Sequence, residues 1–405
     1  MLTALRHRDF ALLWSGQAVS AFGDGIFTVA LVIEVLRVDP HPPGLAYVLV
    51  ARAVPSVVLS LVGGVVVDRV PKRLAMLVSA VIRGIAVGVI AVLVARHSAN
   101  LAELIVMSVV FGSADAFFGP ASTSMVPELL PTELLVQANA LSSTSSNVAS
   151  SLLGPATGGA IVGFIGVAGS FTADAVSFAV SASCLALMAA HPRPERKGTS
   201  MLAEAREGLR FIRSRRWLVI NLVAGGLANF FGIAPLAVLL SLLVRHVLHA
   251  SPLALGLVFA AGGAAGVVAS LVVARLGSPR HRVTVMWIAY GLAGAAIAVM
   301  AAAPDAVVVG VLSAVEVGLI VYGDVLYIAM MQELIPAELR GRVFSAAYLI
   351  AFVLTPFGTA VGGFAAAGLG TRTAILLSGC LSGACALVIF IPGMREPERI
   401  RADGD

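Results

Sequence analysis

The stretch Gly63–Arg73, GGVVVDRVPKR, joins the end of one apolar run to the start of the next. Gly63 and Gly64 leave a smooth helix surface that a second helix can approach closely. Asp68 follows where that helix ends, although the negative end of a helix macrodipole disfavours a carboxylate. Three basic residues complete a loop too short to hold a domain: Arg69, Lys72 and Arg73. The stretch therefore predicts a cytoplasmic turn between two membrane helices, with a carboxylate that needs a compensating positive charge.

The composition of the chain excludes most classes of soluble protein. Of its 405 residues, 59% are hydrophobic and only 12% are charged, and the mean hydropathy is +0.98. About 20 consecutive apolar residues cross a bilayer, and such runs follow one another almost without interruption. Because the basic residues lie in short loops between these runs, we expect the lipid bilayer as a partner and no nucleic acid.

Twelve apolar segments predict an all-α membrane protein with twelve transmembrane helices in two six-helix halves. The first six segments cover about 10–36, 44–67, 74–95, 101–125, 136–165 and 167–189. The second six cover about 217–244, 252–275, 283–303, 306–330, 341–368 and 371–392. The predicted divisions are an N-terminal half, a cytoplasmic amphipathic linker, a C-terminal half and a cytoplasmic tail, over 1–190, 191–216, 217–394 and 395–405.

The distribution of basic residues predicts the orientation of the chain. Loops on the side of the N-terminus hold most of the 27 Lys and Arg residues, and the opposite loops hold only four: Arg37, Arg96, Arg245 and Arg372. By the positive-inside rule, both termini are expected in the cytoplasm. We expect a multi-pass protein of the plasma (inner) membrane that is a monomer. On this map the three tryptophans fall at cytoplasmic helix ends, which suggests an interfacial belt: Trp14, Trp217 and Trp287.

The two predicted halves resemble each other in sequence. PELLPTELL (Pro127–Leu135) is echoed by QELIPAELR (Gln332–Arg340). Three glycines of the fifth segment recur about 204 positions later: Gly154, Gly158 and Gly159 as Gly358, Gly362 and Gly363. Parallel repeats of this kind predict a binding site at the interface of the halves near the bilayer midplane.

Twelve segments, duplicated halves, a basic central loop and the opening stretch together resemble the major facilitator superfamily. The superfamily pattern G-x-x-x-D-R-x-G-R-[KR] is matched by five residues, with Pro71 in place of the second glycine: Gly64, Asp68, Arg69, Lys72 and Arg73. The resemblance implies that Asp68 latches the cytoplasmic side through the start of the eleventh helix, near Gly341 and Arg342.

A second superfamily pattern, G-P-x-x-G-G, lies in the fifth segment as Gly154, Pro155, Gly158 and Gly159. In the family it accompanies exporters that exchange substrate for protons, although close helix packing would explain it equally well. Four further features resemble the branch that contains macrolide efflux pumps and enterobactin exporters: Gly23-Asp24, Arg83, PELLPTELL and the linker segment EGLRFIRSRR. This resemblance implies proton-driven export by alternating access.

Ionisable residues inside predicted helices are informative because each costs at least ~2.5–3.5 kcal/mol at a helix centre. Arg83 and Asp115 lie at similar depth, so we predict that they pair, either as a structural bridge or as a substrate-coupled switch. Arg52 lies within roughly 6 Å in depth of Asp24. If these two pair, the site is structural; if they do not, desolvation disfavours the ionised carboxylate and Asp24 can carry a proton or contact substrate.

Glu316 lies near the midplane of the tenth segment, and the second half offers no comparably buried Lys or Arg in the sequence map. A carboxylate without a cation is protonated much of the time, so Glu316 is a proton-coupling candidate beside Asp24; a neutral acid bonded to a backbone carbonyl is the alternative. Asp324 lies closer to the cytoplasm and is a candidate gate or entry residue. Asp174 and Glu34 lie nearer the outer surface and are predicted to be solvated rim residues.

These features predict a secondary active transporter that exports amphipathic small molecules in exchange for protons. Two alternatives remain open: a siderophore-like or other anionic substrate, for which Arg52 and Arg83 would matter more than the acids, and a non-transporting membrane sensor. We find no nucleophile–base pattern, phosphate loop or His/Cys/Asp cluster with metal-ligand spacing. The sequence therefore predicts no enzymatic activity, no cofactor and no metal.

Overall fold

A computed structural model describes residues 3–67, 70–131, 134–189, 201–276, 279–336 and 339–394. Six helices form the first half: α1 (Arg8–Val38), α2 (Pro42–Val67), α3 (Lys72–Ala95), α4 (Leu101–Leu129), α5 (Leu135–Asn147) and α6 (Gly154–Leu187). The linker contains α7 (Met201–Ser214). The second half contains α8 (Arg216–Ala228), α9 (Ala234–Leu242), α10 (Pro252–Leu276), α11 (Arg282–Met300), α12 (Ala306–Leu334), α13 (Arg340–Phe352), α14 (Thr355–Leu369) and α15 (Thr371–Ala384).

Eleven stretches of the described residues are long and apolar enough to cross a membrane, and one of them supplies two crossings. That stretch, Gln137–Leu187, has 51 residues, whereas about 20 residues cross the hydrocarbon core. Gly166 interrupts it with φ 82° and ψ 174°, a backbone conformation that favours glycine. The chain therefore folds as an all-α protein with twelve transmembrane segments, which confirms the predicted fold class.

Several segments change helical geometry part-way. A π-helical turn, Val148–Leu153, separates α5 from α6, and another, Asn229–Ile233, separates α8 from α9. The helix that follows each turn has a proline in its first turn, Pro155 in α6 and Pro235 in α9. Proline lacks a backbone N–H and is well tolerated in the first turn of a helix, where that donor has no partner within the helix. Each proline therefore stands where the α-helical pattern begins again after a π-helical turn.

The repeated glycines form close helix–helix contacts in both halves. In the first half, a Cβ on Gly158 would lie 2.8 Å from the Cα of Ile26 in α1. In the second half, a Cβ on Gly362 would lie 2.7 Å from the Cα of Pro235 in α9. Both distances are shorter than ordinary carbon–carbon contacts, so only glycine permits these helix pairs to approach so closely. The repeated glycines in the sequence thus correspond to repeated helix contacts.

By mutual packing, the chain divides into two compact units. One contains Met1–Glu195 and Val244–Gly263, and the other contains Arg196–Leu243 and Ala264–Asp405. Each unit has its own hydrophobic core, and the core of the second unit includes Trp217 and Trp287, which are 2% and 0% exposed. The rings of these two tryptophans are therefore packed between helices, and their predicted position at the membrane interface stays a prediction.

The linker helix α7 packs against α13 within the second unit. Glu207 forms an ion pair with Arg342, and Gly208 lies against the backbone of the same arginine. Ile212 on α7 is 3% exposed and belongs to the core of the unit. The amphipathic pattern of the linker thus directs its apolar face onto the helical bundle.

Candidate functional site

Two basic residues of the opening stretch, Lys72 and Arg73, bind the ends of two other helices. Lys72 at the start of α3 donates to the carbonyl of Ser124 (2.8 Å) and to the carboxylate of Glu128 (2.6 Å), both in α4. Arg73 donates to the carbonyl of Leu185 (2.7 Å) in the last turn of α6. Cations at the carboxyl ends of helices are stabilised by the macrodipole. These two residues therefore tie α3 to the ends of α4 and α6.

The other three residues of the G-x-x-x-D-R-x-G-R-[KR] pattern, which we predict to form the cytoplasmic gate, are only partly described. Gly64 lies in the last turn of α2, and Asp68 and Arg69 lie outside the described residues. Arg342 lies at the helix start where the sequence placed the partner of Asp68, and it forms an ion pair with Glu207 of α7. The latch itself stays a prediction.

Arg83 on α3 and Asp115 on α4 lie together inside the first unit. The guanidinium Nη1 donates to Asp115 Oδ1 at 3.0 Å. The Arg83 side chain is 4% exposed, whereas that of Asp115 is 41% exposed. The rings of Phe118 and Phe178 lie 4.5 Å and 4.7 Å from the guanidinium carbon. Aromatic faces attract a cation, so the rings and one carboxylate together hold this buried charge.

Asp24 on α1 and Arg52 on α2 make a looser pair. Their closest oxygen and nitrogen atoms are 3.8 Å apart, and each side chain is 27% exposed. Asp24 Oδ1 is buried and accepts no hydrogen bond. The Arg52 guanidinium instead packs 4.4 Å from the ring centre of Phe111, which stacks on Phe27. Asp24 is therefore partly compensated and keeps an acceptor free.

The prediction that Glu34 and Asp174 are solvated rim residues is wrong, because both side chains are fully buried. Glu34 is bonded to Arg37 one turn later, at 2.5 Å and 3.0 Å. Asp174 Oδ1 accepts a hydrogen bond from the hydroxyl of Ser177 at 3.1 Å, and its Oδ2 has no partner. The position of a residue along a helix gives only its depth in the membrane. Whether its side chain is buried depends on the side of the helix from which it projects, and both of these residues project towards other helices.

The four residues of the G-P-x-x-G-G pattern, which begin α6, are all buried. Gly154 lies against Gly25, the neighbour of Asp24, and Gly158 lies against Ile26 one residue further along α1. Gly159 faces the start of α10, where a Cβ would lie 2.7 Å from the carbonyl of Pro252. Pro155 stands in the first turn of α6. The motif thus places α6 directly against the turn of α1 that carries Asp24.

Glu316 on α12 is 4% exposed, and its carboxylate makes no hydrogen bond or ion pair among the described residues. The expectation that the second half lacks a comparably buried cation is wrong, since Arg282 is also 4% exposed. Arg282 binds Glu333 at 2.5 Å, near the other end of α12 and roughly 25 Å along the helix from Glu316. Glu316 is therefore a buried acid that this cation does not compensate.

A cavity of about 390 Å³ lies inside the second unit and includes Asp324 in its wall. The carboxylate accepts a hydrogen bond from the hydroxyl of Tyr290 at 2.7 Å. Asn221 accepts another from the indole N–H of Trp287 at 3.1 Å. The remaining wall is mainly apolar and aromatic, with Tyr327, Phe344, Tyr348 and Phe352 among its residues. This is the composition of a pocket for an apolar molecule with a few polar groups.

Sequence reasoning found Asp324 but missed the aromatic residues around it. The signal was present, because the chain has only five tyrosines and four of them fall within 290–348. Three of these four line the cavity: Tyr290, Tyr327 and Tyr348. A cluster of a rare amphipathic residue across neighbouring membrane segments is a pattern that predicts a polar site inside a helical bundle.

A helical membrane protein of two repeated halves, with buried acids and an aromatic cavity among its segments, has the organisation of a secondary transporter. The sequence model of the Major Facilitator Superfamily matches residues 13–354. The chain belongs to this superfamily, and it is accordingly a multi-pass membrane transporter for small molecules.

Relatives and solved structures agree with this assignment. The chain is 28% identical to the multidrug efflux pump Tap of Mycolicibacterium fortuitum, covering 98% of each chain. It is 25% identical to macrolide efflux protein A of Streptococcus pyogenes, covering 94% of each. The inward-open xylose transporter XylE of E. coli has a TM-score of 0.68 at 14% identity, covering 94% of this chain and 95% of that one. The last similarity concerns the fold alone.

Proposed function

We propose that the protein exports amphipathic small molecules across the plasma membrane in exchange for protons, by alternating access of its two halves. The observation that carries this proposal is the cavity around Asp324 and Tyr290, whose wall combines aromatic rings with one carboxylate. Positive-inside loops support an orientation with both termini in the cytoplasm. The multidrug and macrolide efflux proteins among the relatives support export as the direction.

The charge of the cavity favours neutral or cationic substrates over anions. Asp324 is the one charged residue among the described residues of its wall. Aromatic faces and a carboxylate both attract a cation, whereas an anion would be repelled by the carboxylate and meet no compensating base. Arg52 and Arg83, which would serve the siderophore-like alternative, are held by aromatic rings and carboxylates in the first unit. We therefore propose a neutral or cationic substrate first and keep an anionic substrate as the second candidate.

Proton coupling is proposed for the buried acids. Asp24 in the first unit has a weak ion pair and a free acceptor, and Glu316 in the second is buried without a partner among the described residues. An isolated ionised carboxylate is costly to bury, so such groups take up a proton. Asp324 is exposed to the cavity and serves as a substrate contact that is competent to exchange protons.

Transport into and out of proteoliposomes tests the cavity directly. The probes are ethidium, an amphipathic aromatic cation, and an anionic dye of similar size, each followed by fluorescence under an imposed pH gradient. We expect wild type to move ethidium and not the anion. Asp324→Asn should abolish ethidium transport, and Tyr290→Phe should weaken it while preserving the ring that packs on Trp287 at 5.4 Å.

Asp39→Asn, in the loop between α1 and α2, controls for loss of a carboxylate elsewhere. Preferential movement of the anion by wild type would replace the proposed substrate class with the alternative one. If reconstituted wild type moved neither dye nor any of a panel of drugs and siderophores under either polarity of the gradient, the non-transporting reading would take its place.

A further inference from the structure

A cluster of five ionisable side chains lies between α1, α2, α3, α4 and α6 among the described residues of the first unit. Two arginines, Arg52 and Arg83, face three aspartates, Asp24, Asp115 and Asp174. Each arginine has its own acid, with Arg83 at 3.0 Å from Asp115 and Arg52 at 3.8 Å from Asp24. Asp174 has no cation within 4 Å among the described residues, so one carboxyl group exceeds the positive charges available.

Asp174 is also the most enclosed of the three acids. Its side chain is fully buried, Ser177 occupies Oδ1, and Oδ2 has no hydrogen-bond partner. The carboxyl group lies against Gly23, since a Cβ at that position would overlap both Asp174 Oδ1 and Ser177 Oγ. Gly23 immediately precedes Asp24. The excess acid therefore lies against the turn of α1 that carries the loosely paired acid.

Other charged groups on the surrounding helices are already engaged. On α1, Glu34 is bonded to Arg37. On α3, Arg83 donates through Nη1 to Asp115 of α4 and is flanked by aromatic rings. Its Nε and Nη2 make no hydrogen bond, and its ion pair is with Asp115 and not with Asp174. The remaining cation is Arg52, on α2, which is nearest to Asp24. No further base among the described residues is placed to compensate an ionised Asp174.

We propose that Asp174 is a proton-binding residue of the transport cycle and that Asp24 connects it to water. Burying an isolated ionised carboxylate is far more costly than burying the neutral acid, so Asp174 holds a proton in the described arrangement. When it gives up this proton, the carboxylate of Asp24 accepts it, and Asp24, whose side chain is 27% exposed, releases it to solvent. Arg52 then stabilises the negative charge that remains on Asp24.

This inference rests on the proton coupling proposed above, and one experiment separates the two. The variant is Asp174→Asn, which preserves side-chain volume and can still bond to Ser177. Proteoliposomes are assayed for uphill ethidium transport driven by a pH gradient and, separately, for ethidium exchange at equal pH on both sides. We expect Asp174→Asn to lose gradient-driven transport and retain exchange. Asp39→Asn should retain both.

If Asp174→Asn shows gradient-driven transport at the wild-type rate, Asp174 is not the proton-binding residue, while the proposed exchange of substrate for protons is unaffected. Loss of exchange together with gradient-driven transport in a folded variant also overturns this inference, because Asp174 would then be needed for substrate movement itself. Absence of gradient-driven transport in wild type removes the proposed function and this inference with it.

A measurement on wild type covers the case in which Asp174→Asn does not fold. Dicyclohexylcarbodiimide reacts with protonated carboxyl groups in apolar surroundings, and peptide mapping locates the adduct. We expect labelling at Asp174 that declines as pH rises and that ethidium alters. An unlabelled Asp174, with labelling at other buried acids such as Glu316, would overturn the assignment.

Discussion

Replacing Gly158 by alanine tests the packing of α6 on α1, which brings the G-P-x-x-G-G pattern against the turn of α1 that carries Asp24. The added Cβ would lie 2.8 Å from the Cα of Ile26 and 3.0 Å from its carbonyl oxygen. Carbon atoms normally approach to about 3.5–4.0 Å, so the two helices must separate by about 0.7 Å or more. Both contacts are with backbone, which cannot rotate aside. Overpacking of this kind costs about 1–3 kcal/mol.

Gly163→Ala is the matched control in the same helix, because a Cβ there meets nothing within 4 Å. Both substitutions gain the same helix propensity of alanine over glycine, about 1 kcal/mol, so that contribution cancels in the comparison. We expect Gly158→Ala to be less stable than Gly163→Ala by about 1–3 kcal/mol. Unfolding of purified protein by SDS in mixed micelles, followed by circular dichroism, measures the difference. Equal stability of the two variants would refute the proposed close approach.

Two further predictions concern the opening stretch and the cavity wall. Lys72→Met and Glu128→Gln are made singly and together, and the free energy of unfolding of each variant is measured. We expect a coupling of about 1–3 kcal/mol between the two substitutions, because a charge-assisted hydrogen bond joins these half-buried side chains. Additive effects in this double-mutant cycle would contradict the prediction. Trp287→Phe keeps an aromatic ring but leaves the buried side-chain oxygen of Asn221 without its donor. The free energy of unfolding should therefore fall by about 1–3 kcal/mol. Adding Asn221→Leu to Trp287→Phe should recover part of that loss. No recovery would show that the hydrogen bond is not the cause.

The fold was accessible from the sequence because the membrane imposes strong constraints on it. Apolar runs of about 20 residues, separated by short basic loops, admit few solutions other than spanning helices. Even the boundary at Gly166 could be predicted, because glycine there divides a run too long for one crossing. The repeated glycines likewise indicated the close helix contacts that the structure shows at Gly158 and Gly362.

The charged site was accessible only in part. Depth along the helices suggested that Arg83 lies near Asp115 and Arg52 near Asp24, and the structure places these residues 3.0 Å and 3.8 Å apart. Depth could not show that Asp174 is buried, because that depends on which face of α6 meets α1. The helix face is decided by packing against segments far away in sequence.

The cavity was the least accessible feature. Its wall combines residues from α8, α11, α12, α13 and α15, including Asn221, Tyr290, Asp324 and Tyr348. Asp324 stood out because a charge in an apolar segment is costly. The aromatic wall left a weaker trace, the grouping of four of the five tyrosines within 290–348, and a single aromatic residue such as Tyr290 is equally typical of ordinary packing.

The central claim is that substrate export is driven by protons moving the other way. Its most direct test follows both fluxes at once in proteoliposomes, with ethidium fluorescence for the substrate and an enclosed pH dye for protons. We expect an imposed pH gradient to drive ethidium uphill, protons to move in the opposite direction only when ethidium is present, and a protonophore to abolish both. Uphill ethidium movement without a gradient, or movement that a protonophore leaves unchanged, would rule out proton-driven export.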